Sequence, residues 1–502
     1  MIKPRVVLLT SRCPAWTSLE EIVRSLEKAW RIAGLRSRAD VRVLRVGKEF
    51  GEDVFPLDAF GPLLRADAIA VAVLTPSIAR LLDALRRRLK IRTPLIIHSH
   101  GEGTTAGLRF GPLAKALTRD DRLLAASRRE ARSLRLCWPS ARVDVLPFPV
   151  ADAVRGRAPR RGAPVLVDAG RLSEQKNLHT LLLALSMLDR RAPQLPWRLH
   201  VYGKADGLGS PNMGFRMKSY SGYLRSLARR LGIEKRIIWR GYLPARELRR
   251  ALDRRHVFVS PSLHSDEDFG TAALKSLLAG NSAVLSDWGG HADLKHYFSR
   301  QVGLVRPVDS DLGPFIPADR LALALLRALT QSRPAAAPIR RRLLYTTRDC
   351  ARRLERLSRI APPFSGRPSP LSGRARRLLD RAARLPRTRP TAPFSSSAAN
   401  PYTPKIFANY GDKFSEPFFA AYGPACGVRR GRKTAMTGLA LVPWARRSKR
   451  RIVVNDPHRG PWSIRRDKIP RAALARWLLD RGLAYGNSPL GEETSASMWR
   501  PV

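Results

Sequence analysis

Cysteine is scarce in this 502-residue chain. Four residues, Cys13, Cys137, Cys350 and Cys426, stand far apart. No pair has the spacing of a disulfide framework, a zinc ribbon or a CxxC redox site, and the pattern fits a reducing compartment. Long apolar runs are missing too. The longest near the amino end, Ala68 to Ala79, contains Pro76, whereas a membrane span needs about 20 residues. The apolar part of MIKPRVVLLTSR is too short for a signal peptide. A soluble, cytoplasmic chain is therefore expected. Acidic residues are in deficit: 92 Lys+Arg face 41 Asp+Glu, a net charge of +51 and a pI of 11.6. Such an excess points to an anionic partner, whether phospholipid headgroups, a phosphorylated substrate or nucleic acid. Hydrophobic residues make up 44%, which excludes disorder of the whole chain.

The charge is uneven. Residues 331–502 carry 36 Lys+Arg and 10 Asp+Glu, and residues 1–330 carry 56 and 31. The later part is also rich in Pro and Ser, as in Pro362 to Gly373 and Pro386 to Pro401. Such stretches bury too little apolar area to offset the entropy of ordering and read as linker. Arg374 to Leu385 between them is expected to be a short basic helix. A composition boundary falls near 330–345.

Before that boundary, β-rich runs alternate with helical patterns. Val6 to Thr10, Val41 to Val46, Ile69 to Leu74, Pro94 to Ile97 and Val143 to Pro147 read as strands, with a helix over Ser18 to Ala33 opened by a Ser18/Glu21 capping box. A second series runs from Pro164: VLVDAG, a helix over Leu178 to Asp189, RLHVYG, a helix over Tyr220 to Leu231, RIIWRG, a helix over Ala245 to Leu252, HVFVSPS, a helix over Thr271 to Ala279, and SAVLSD. Continuous apolar strands alternating with helices imply parallel sheets covered on both faces. The expected class is α/β: two facing Rossmann-like doubly wound domains, 1–155 and 160–330, joined by the Gly/Arg/Pro-rich link Ala151 to Ala163. A basic extension of unknown fold, 331–502, follows. Ligands of such sheets bind in the crevice beyond the strand carboxyl ends.

Chemistry-bearing residues gather at those ends. In GRLSEQKN, Gly170 permits a sharp exit from the strand VLVDA. Arg171 supplies a planar fork of donors and Lys176 a point charge, both at a strand-to-helix turn that favours anions. A solvated turn with incidental basic residues would look the same. In SPSLHSDEDFG, the carboxylates Asp266, Glu267 and Asp268 precede Phe269 and Gly270. They suit sugar hydroxyls, or a favourable place at a helix start. His264 reads as a loop residue. Gly289 and Gly290, after SAVLSD, place backbone N–H groups where a phosphate or sugar oxygen could sit. HSHG puts His98 and His100 at a strand end of the first domain. No ligand spacing for a metal is present.

The order GRLSEQKN, VYG, WRGYLP, SPSLHSDEDFG, LLAG, SDWGG resembles the donor-binding half of glycosyltransferase family 4, the retaining GT-B enzymes. PLIIHSHG and ASRREARSL (Ala126 to Leu134) look like the acceptor half. The resemblance implies transfer of a sugar from a nucleotide-sugar donor to a glycan or lipid-linked acceptor, with retention and with no metal or cofactor. Arg171 and Lys176 would clamp the diphosphate and Glu267 would contact donor sugar hydroxyls. Gly170, Phe269, Gly270 and Thr271 would bring backbone to the donor, and His100 would stand near the transferred sugar. Arg240, Gly241 and Tyr242 would line the nucleobase pocket. Lys275 stands where the family has a second glutamate that bonds ribose. Asp293 replaces a common glutamate, LPFPVAD (Leu146 to Asp152) replaces a Pro-Asn-Gly sequence, and the amino-terminal glycine loop is missing. A peripheral position on an anionic inner membrane face, through Arg374 to Arg389 and Arg446 to Arg451, is the candidate role of 331–502. A specific nucleic acid partner is not expected, for want of a zinc finger, RRM or KH signature. The alternatives are a catalytically impaired GT-B scaffold, suggested by Lys275, and a nucleic-acid-binding protein, suggested by charge alone.

Overall fold

The computed structural model describes residues 3–11, 17–46, 57–101, 113, 116–150, 165–173, 176–205, 220–254, 256–263, 267–307, 316–330, 344–359, 365–370, 372, 373 and 376. Beyond these it describes only strand segments within 440–485. Six strands form a first sheet: β1 (Arg5–Ser11), β2 (Asp40–Val46), β3 (Ala68–Val71), β4 (Leu95–His98), β5 (Arg122–Ala125) and β6 (Arg142–Val145), in the order β2-β1-β3-β4-β5-β6. Every pairing is parallel. Helices α1 (Thr17–Ser37), α2 (Leu57–Leu64), α3 (Pro76–Arg87) and α4 (Arg128–Cys137) connect them. The apolar run holding Pro76 divides accordingly. Its first half is β3, Thr75 caps α3 by accepting from the Ile78 amide at 3.2 Å, and Pro76 takes the first helical position, where no N–H is needed.

The second sheet contains β7 (Val165–Ala169), β8 (Arg198–Tyr202), β9 (Ile237–Gly241), β10 (Val257–Ser260), β11 (Ser282–Ser286) and β12 (Val302–Val305). Between them run α5 (Leu178–Arg191), α6 (Tyr220–Arg230), α7 (Ala245–Leu252), α8 (Thr271–Leu278) and α9 (His291–Tyr297), and α10 (Ala318–Thr330) follows. The order β12-β11-β10-β7-β8-β9 is also parallel throughout. It reverses between β7 and β10, and a crevice opens where neighbouring connections leave in opposite directions. The expected link at 151–163 lies outside the described residues.

Two expectations need correction. The helix α1 already begins at Thr17, so Ser18 lies inside it. Glu21 does not reach back to cap the helix, because its carboxylate bonds Lys275. The boundary at 330–345 also does not mark the end of packed structure. A helix α11 (Thr347–Arg359) returns to the first lobe. There Tyr345, Cys350, Ala351 and Leu354 join Ile22, Leu26 and Trp30 in one core, and Arg36 Nε meets Glu355 Oε2 at 2.7 Å. Residues 365–370 then run along the same lobe: Thr118 bridges Pro368, and the Gly366 amide donates to Asp120 at 2.7 Å.

Most of 374–389 lies outside the described residues. Further on, β13 (Ala440–Leu441) pairs with β17 (Ala484–Tyr485), and β14 (Ala445–Arg447), β15 (Arg451–Asp456) and β16 (Gly460–Arg465) form an antiparallel sheet. Among the described residues no helix is long and apolar enough to cross a membrane.

One buried ion pair organises the first lobe. Asp121 accepts from Arg86 Nη2 at 2.6 Å and from the Leu95 and Thr118 amides at 2.7 Å each. Burial pushes this carboxyl group up, and Arg86 with the amides opposes the rise. Removing one partner leaves the other charge uncompensated, which costs about 3–5 kcal/mol. Asp121→Ala should therefore lower the lobe's unfolding free energy by about 3 kcal/mol in denaturant titration, and a change below about 1 kcal/mol would mean that Arg86 finds water instead.

Candidate active site at the sheet switch point

Two turns meet where the second sheet reverses. The first follows β7. The Gly170 amide donates to the Tyr202 carbonyl at 2.9 Å and the Leu172 amide to the Lys204 carbonyl at 2.9 Å, so this turn is laid against the exit of β8. The fit requires glycine at position 203, where φ is +149° and an added Cβ would lie 1.8 Å from the Gly170 carbonyl oxygen. At Gly170 itself a Cβ would meet nothing within 4 Å. Packing therefore does not demand glycine there, and the backbone stands open. Asn177, left-handed at φ 62° and fully buried, donates to the Pro261 carbonyl at 3.2 Å and accepts from Thr180 Oγ1 at 2.6 Å. Asparagine tolerates that conformation, and here it pins the start of α5 to the exit of β10.

The second turn carries Glu267, only 8% exposed. Its Oε2 accepts from Lys176 Nζ at 2.6 Å, and its Oε1 lies 3.9 Å from His291 Nε2. Burial lowers the His291 pKa, and its Nδ1 lies 3.1 Å from Ser286 Oγ. Two residues from the expected clamp and sugar contact are thus one ion pair. Asp266 and His264 lie outside the described residues; Asp268 is described.

Gly289 and Gly290 are buried, and the Gly290 amide is already engaged within the protein: it donates to the Glu267 carbonyl at 2.7 Å. A Cβ there would lie 2.2 Å from the Asp268 carbonyl oxygen, so this glycine allows two loops to touch.

Phe269 is buried and directs its ring away from the turn. It meets Phe148 edge-on at 5.2 Å, and Phe148 stacks on His100 at 4.6 Å. This aromatic series carries the first lobe's histidine to the Glu267 loop. His100 Nε2 lies 2.8 Å from the Ala72 carbonyl, which can only accept, so that nitrogen bears the proton. His98 has a different part. Fully buried, it accepts from Trp30 Nε1 at 3.0 Å, and burial pushes its pKa down to about 3. Gly270 precedes α8 and Thr271 begins it.

Arg171 is half-buried in the β7 turn. Arg240 and Gly241 end the edge strand β9 and Tyr242 follows it. Tyr242 is 50% exposed, with Lys204 Nζ 5.3 Å from its ring centroid.

Lys275 does not stand free for a ribose. Its Nζ donates to Glu21 Oε2 of α1 at 2.5 Å, across the lobes. The same boundary holds Arg129 Nη2 to Asp287 Oδ1 at 2.5 Å and the Arg128 amide to Asp293 Oδ2 at 2.7 Å. Asp293 thus caps the start of α4 from the opposite lobe, a favourable place for a carboxylate.

One site residue escaped sequence reasoning. Asp168 is the lone acid in the apolar strand β7 and is 5% exposed; its Oδ2 has no hydrogen-bond partner among the described residues. Burial pushes its pKa up to about 7, with Lys176 opposing and Glu267 adding to the rise. An acid interrupting an otherwise apolar strand one residue before the turn was the available signal. Among the described residues no cluster of three or more His, Cys, Asp or Glu could hold a metal ion.

Residues 153–303 match the family model described as Glycosyl transferases group 1. No curated protein matches the chain. Among solved structures, Anabaena HepE in complex with UDP is 17% identical, covers 71% of this chain and 100% of its own, and superposes with a TM-score of 0.50. A glycosyltransferase from Rickettsia africae ESF-5 is 11% identical over 83% of this chain and 98% of its own, with a TM-score of 0.48. The likeness to HepE shows the fold, two Rossmann-like lobes of the GT-B type.

The cross-lobe pair yields a direct test. Lys275→Glu should set two carboxylates face to face and lower the thermal midpoint, at a cost of about 1 kcal/mol for a part-exposed pair. Adding Glu21→Lys should recover the loss. A double variant no better than the single one would show that the pair does not form in solution.

Proposed function

We propose that this chain is a glycosyltransferase of family 4 that transfers a sugar from a nucleotide-sugar donor to a glycan or lipid-linked acceptor. Transfer proceeds with retention and without a metal. The observation that carries the reading is the Lys176–Glu267 pair at the switch point. One side chain suits a diphosphate and the other sugar hydroxyls, and the pair sits beside the half-buried Arg171. The family match over residues 153–303 supports the donor half, and the fold shared with a UDP-bound protein supports the crevice.

In this reading the bond between the sugar's anomeric carbon and the diphosphate oxygen breaks. A bond from the same carbon to the acceptor oxygen forms on the same face. The acceptor proton passes to the leaving phosphate oxygen, so no separate protein base is required. Lys176 and Arg171 stabilise the charge left on the diphosphate. Lys176 must first loosen its hold on Glu267, which frees the carboxylate for sugar hydroxyls. His100 approaches the transferred sugar from the first lobe, and Arg240 to Tyr242 form the nucleobase rim. With Lys275 held by Glu21, ribose contacts come from other groups.

Titration calorimetry with nucleoside diphosphates tests the clamp. Arg171→Ala and Lys176→Ala should each weaken binding by about 1.5–3 kcal/mol, as for loss of a charged hydrogen bond. Glu267→Gln should lower transfer while leaving nucleotide affinity equal or tighter, because it releases Lys176. Unchanged affinity in both cation variants would remove the site.

The basic region 331–502 supplies the contact with an anionic membrane surface in this reading, since each Lys or Arg near such a surface contributes about 1 kcal/mol. The full chain should sediment with anionic vesicles, be released by salt, and lose binding on truncation after residue 376. Equal binding of both forms would exclude the region as the anchor.

A further inference from the structure

The Lys176–Glu267 pair has a third charged neighbour that the transfer reaction does not use. Asp168 sits at the carboxyl end of β7, two residues before Gly170, with Val201 of β8 opposite it in register. Leu166, Leu199 and Val201 belong to the surrounding apolar core. The side chain is almost wholly enclosed and its Oδ2 has no hydrogen-bond partner among the described residues. An enclosed carboxylate with an unsatisfied oxygen is costly, and its cheapest compensation is a nearby cation or a proton.

The charged groups around it are few. Lys176 in the turn between β7 and α5 favours its ionised form, and Glu267 from the loop before α8 opposes it. His291 of α9 stands beyond Glu267 and is kept neutral by burial, with Arg129 of α4 acting on it as well. One ammonium group therefore serves two carboxyl groups, and it is bonded to only one of them.

A diphosphate meeting Lys176 changes that balance. It draws the cation's charge toward itself and adds negative charge within a poorly solvated turn. Asp168 then has a weaker cation and stronger anions around it, and both changes favour its protonated form. We infer that Asp168 is the proton-accepting residue of this site, taking a proton from solvent when the diphosphate of a donor engages Lys176, so that donor binding is coupled to protonation. The inference rests on the donor reading above. It gives the site a pH sense: the affinity is highest where Asp168 already carries its proton and declines as the pH rises past neutrality.

The linkage has a definite sign for stability. Asp168 is raised above its usual carboxyl value, so the native chain holds a proton that the unfolded chain has lost. Stability falls from about pH 4 to about pH 7 on this account and is level above that. Asp168→Asn should therefore raise the thermal midpoint at pH 8 and change it little at pH 4.

The decisive measurement is calorimetric titration of the full chain with UDP-glucose, whose diphosphate does not itself titrate near neutrality. It is run at pH 7.5 in buffers of different ionisation enthalpy, with UDP, GDP and ADP as further probes. Wild type should take up a substantial fraction of one proton per UDP-glucose bound, falling toward zero at pH 5. Its affinity should be roughly tenfold weaker at pH 8.5 than at pH 6.5. Asp168→Asn should bind with heats independent of buffer and affinity independent of pH. Binding without proton uptake in wild type would overturn the inference while leaving the donor site standing, and this arm needs no variant. Uptake that persists in Asp168→Asn would assign the proton to another group and overturn it equally. If none of the four probes binds, the donor reading and this inference fall together.

Discussion

The second lobe is organised around one carboxylate that touches three loops. Glu267 takes the Lys176 ammonium from the β7 turn, lies beside His291 at the start of α9, and offers its own carbonyl to the Gly290 amide. A buried carboxylate needs such partners, because unpaired it would cost several kcal/mol. The requirement binds three crossover connections of a parallel sheet at the place where their directions diverge. Glycine at 290 and 203 and asparagine at 177 are the backbone concessions that let those loops come so close.

The lobes meet through charge and aromatic stacking together. Arg129 and the Arg128 amide at the start of α4 reach Asp287 and Asp293, while Glu21 of α1 reaches Lys275 of α8. The aromatic series adds to them, His100 stacked on Phe148 and Phe148 edge-on to Phe269. Charged contacts of this partly exposed kind are individually weak and salt-sensitive. The boundary is therefore held by several modest contacts, which suits a crevice that has to admit and release a ligand.

Much of this architecture is legible in the sequence, because strands buried on both faces write themselves as short apolar runs and the turns after them hold the polar residues. Runs such as VLVDAG and HVFVSPS coincide with β7 and β10, and Lys176 and Glu267 stand out at strand ends, although their roles come only from the family resemblance. What local pattern cannot show is partnership across distance. Glu21 reads as half of a capping box until Lys275 claims it from 254 residues away. Gly170 reads as the glycine that permits the strand's exit, and the steric demand falls on Gly203 in the neighbouring strand exit. Asp121 and Arg86 give no local sign of being a buried pair. Asp168 hides because an acid inside an apolar strand looks like an interruption until burial gives it meaning. The composition boundary misleads over α11 for a related reason: an Arg-rich amphipathic helix carries its basic residues on the face turned away from the core.

That helix has a consequence for the birth of the chain. Arg36 and Glu355 are 319 residues apart in sequence and in contact in the fold. During synthesis the face of α1 bearing Leu26 and Trp30 emerges long before its cover. At about 5–20 residues per second, the ribosome needs tens of seconds to deliver α11. Through that interval the whole second lobe is made and can fold while the first still waits for its last helix. Until α11 has left the ribosome, the nascent chain carries an apolar stripe that a chaperone could shield, and the arrival of that helix is what allows the first lobe to close.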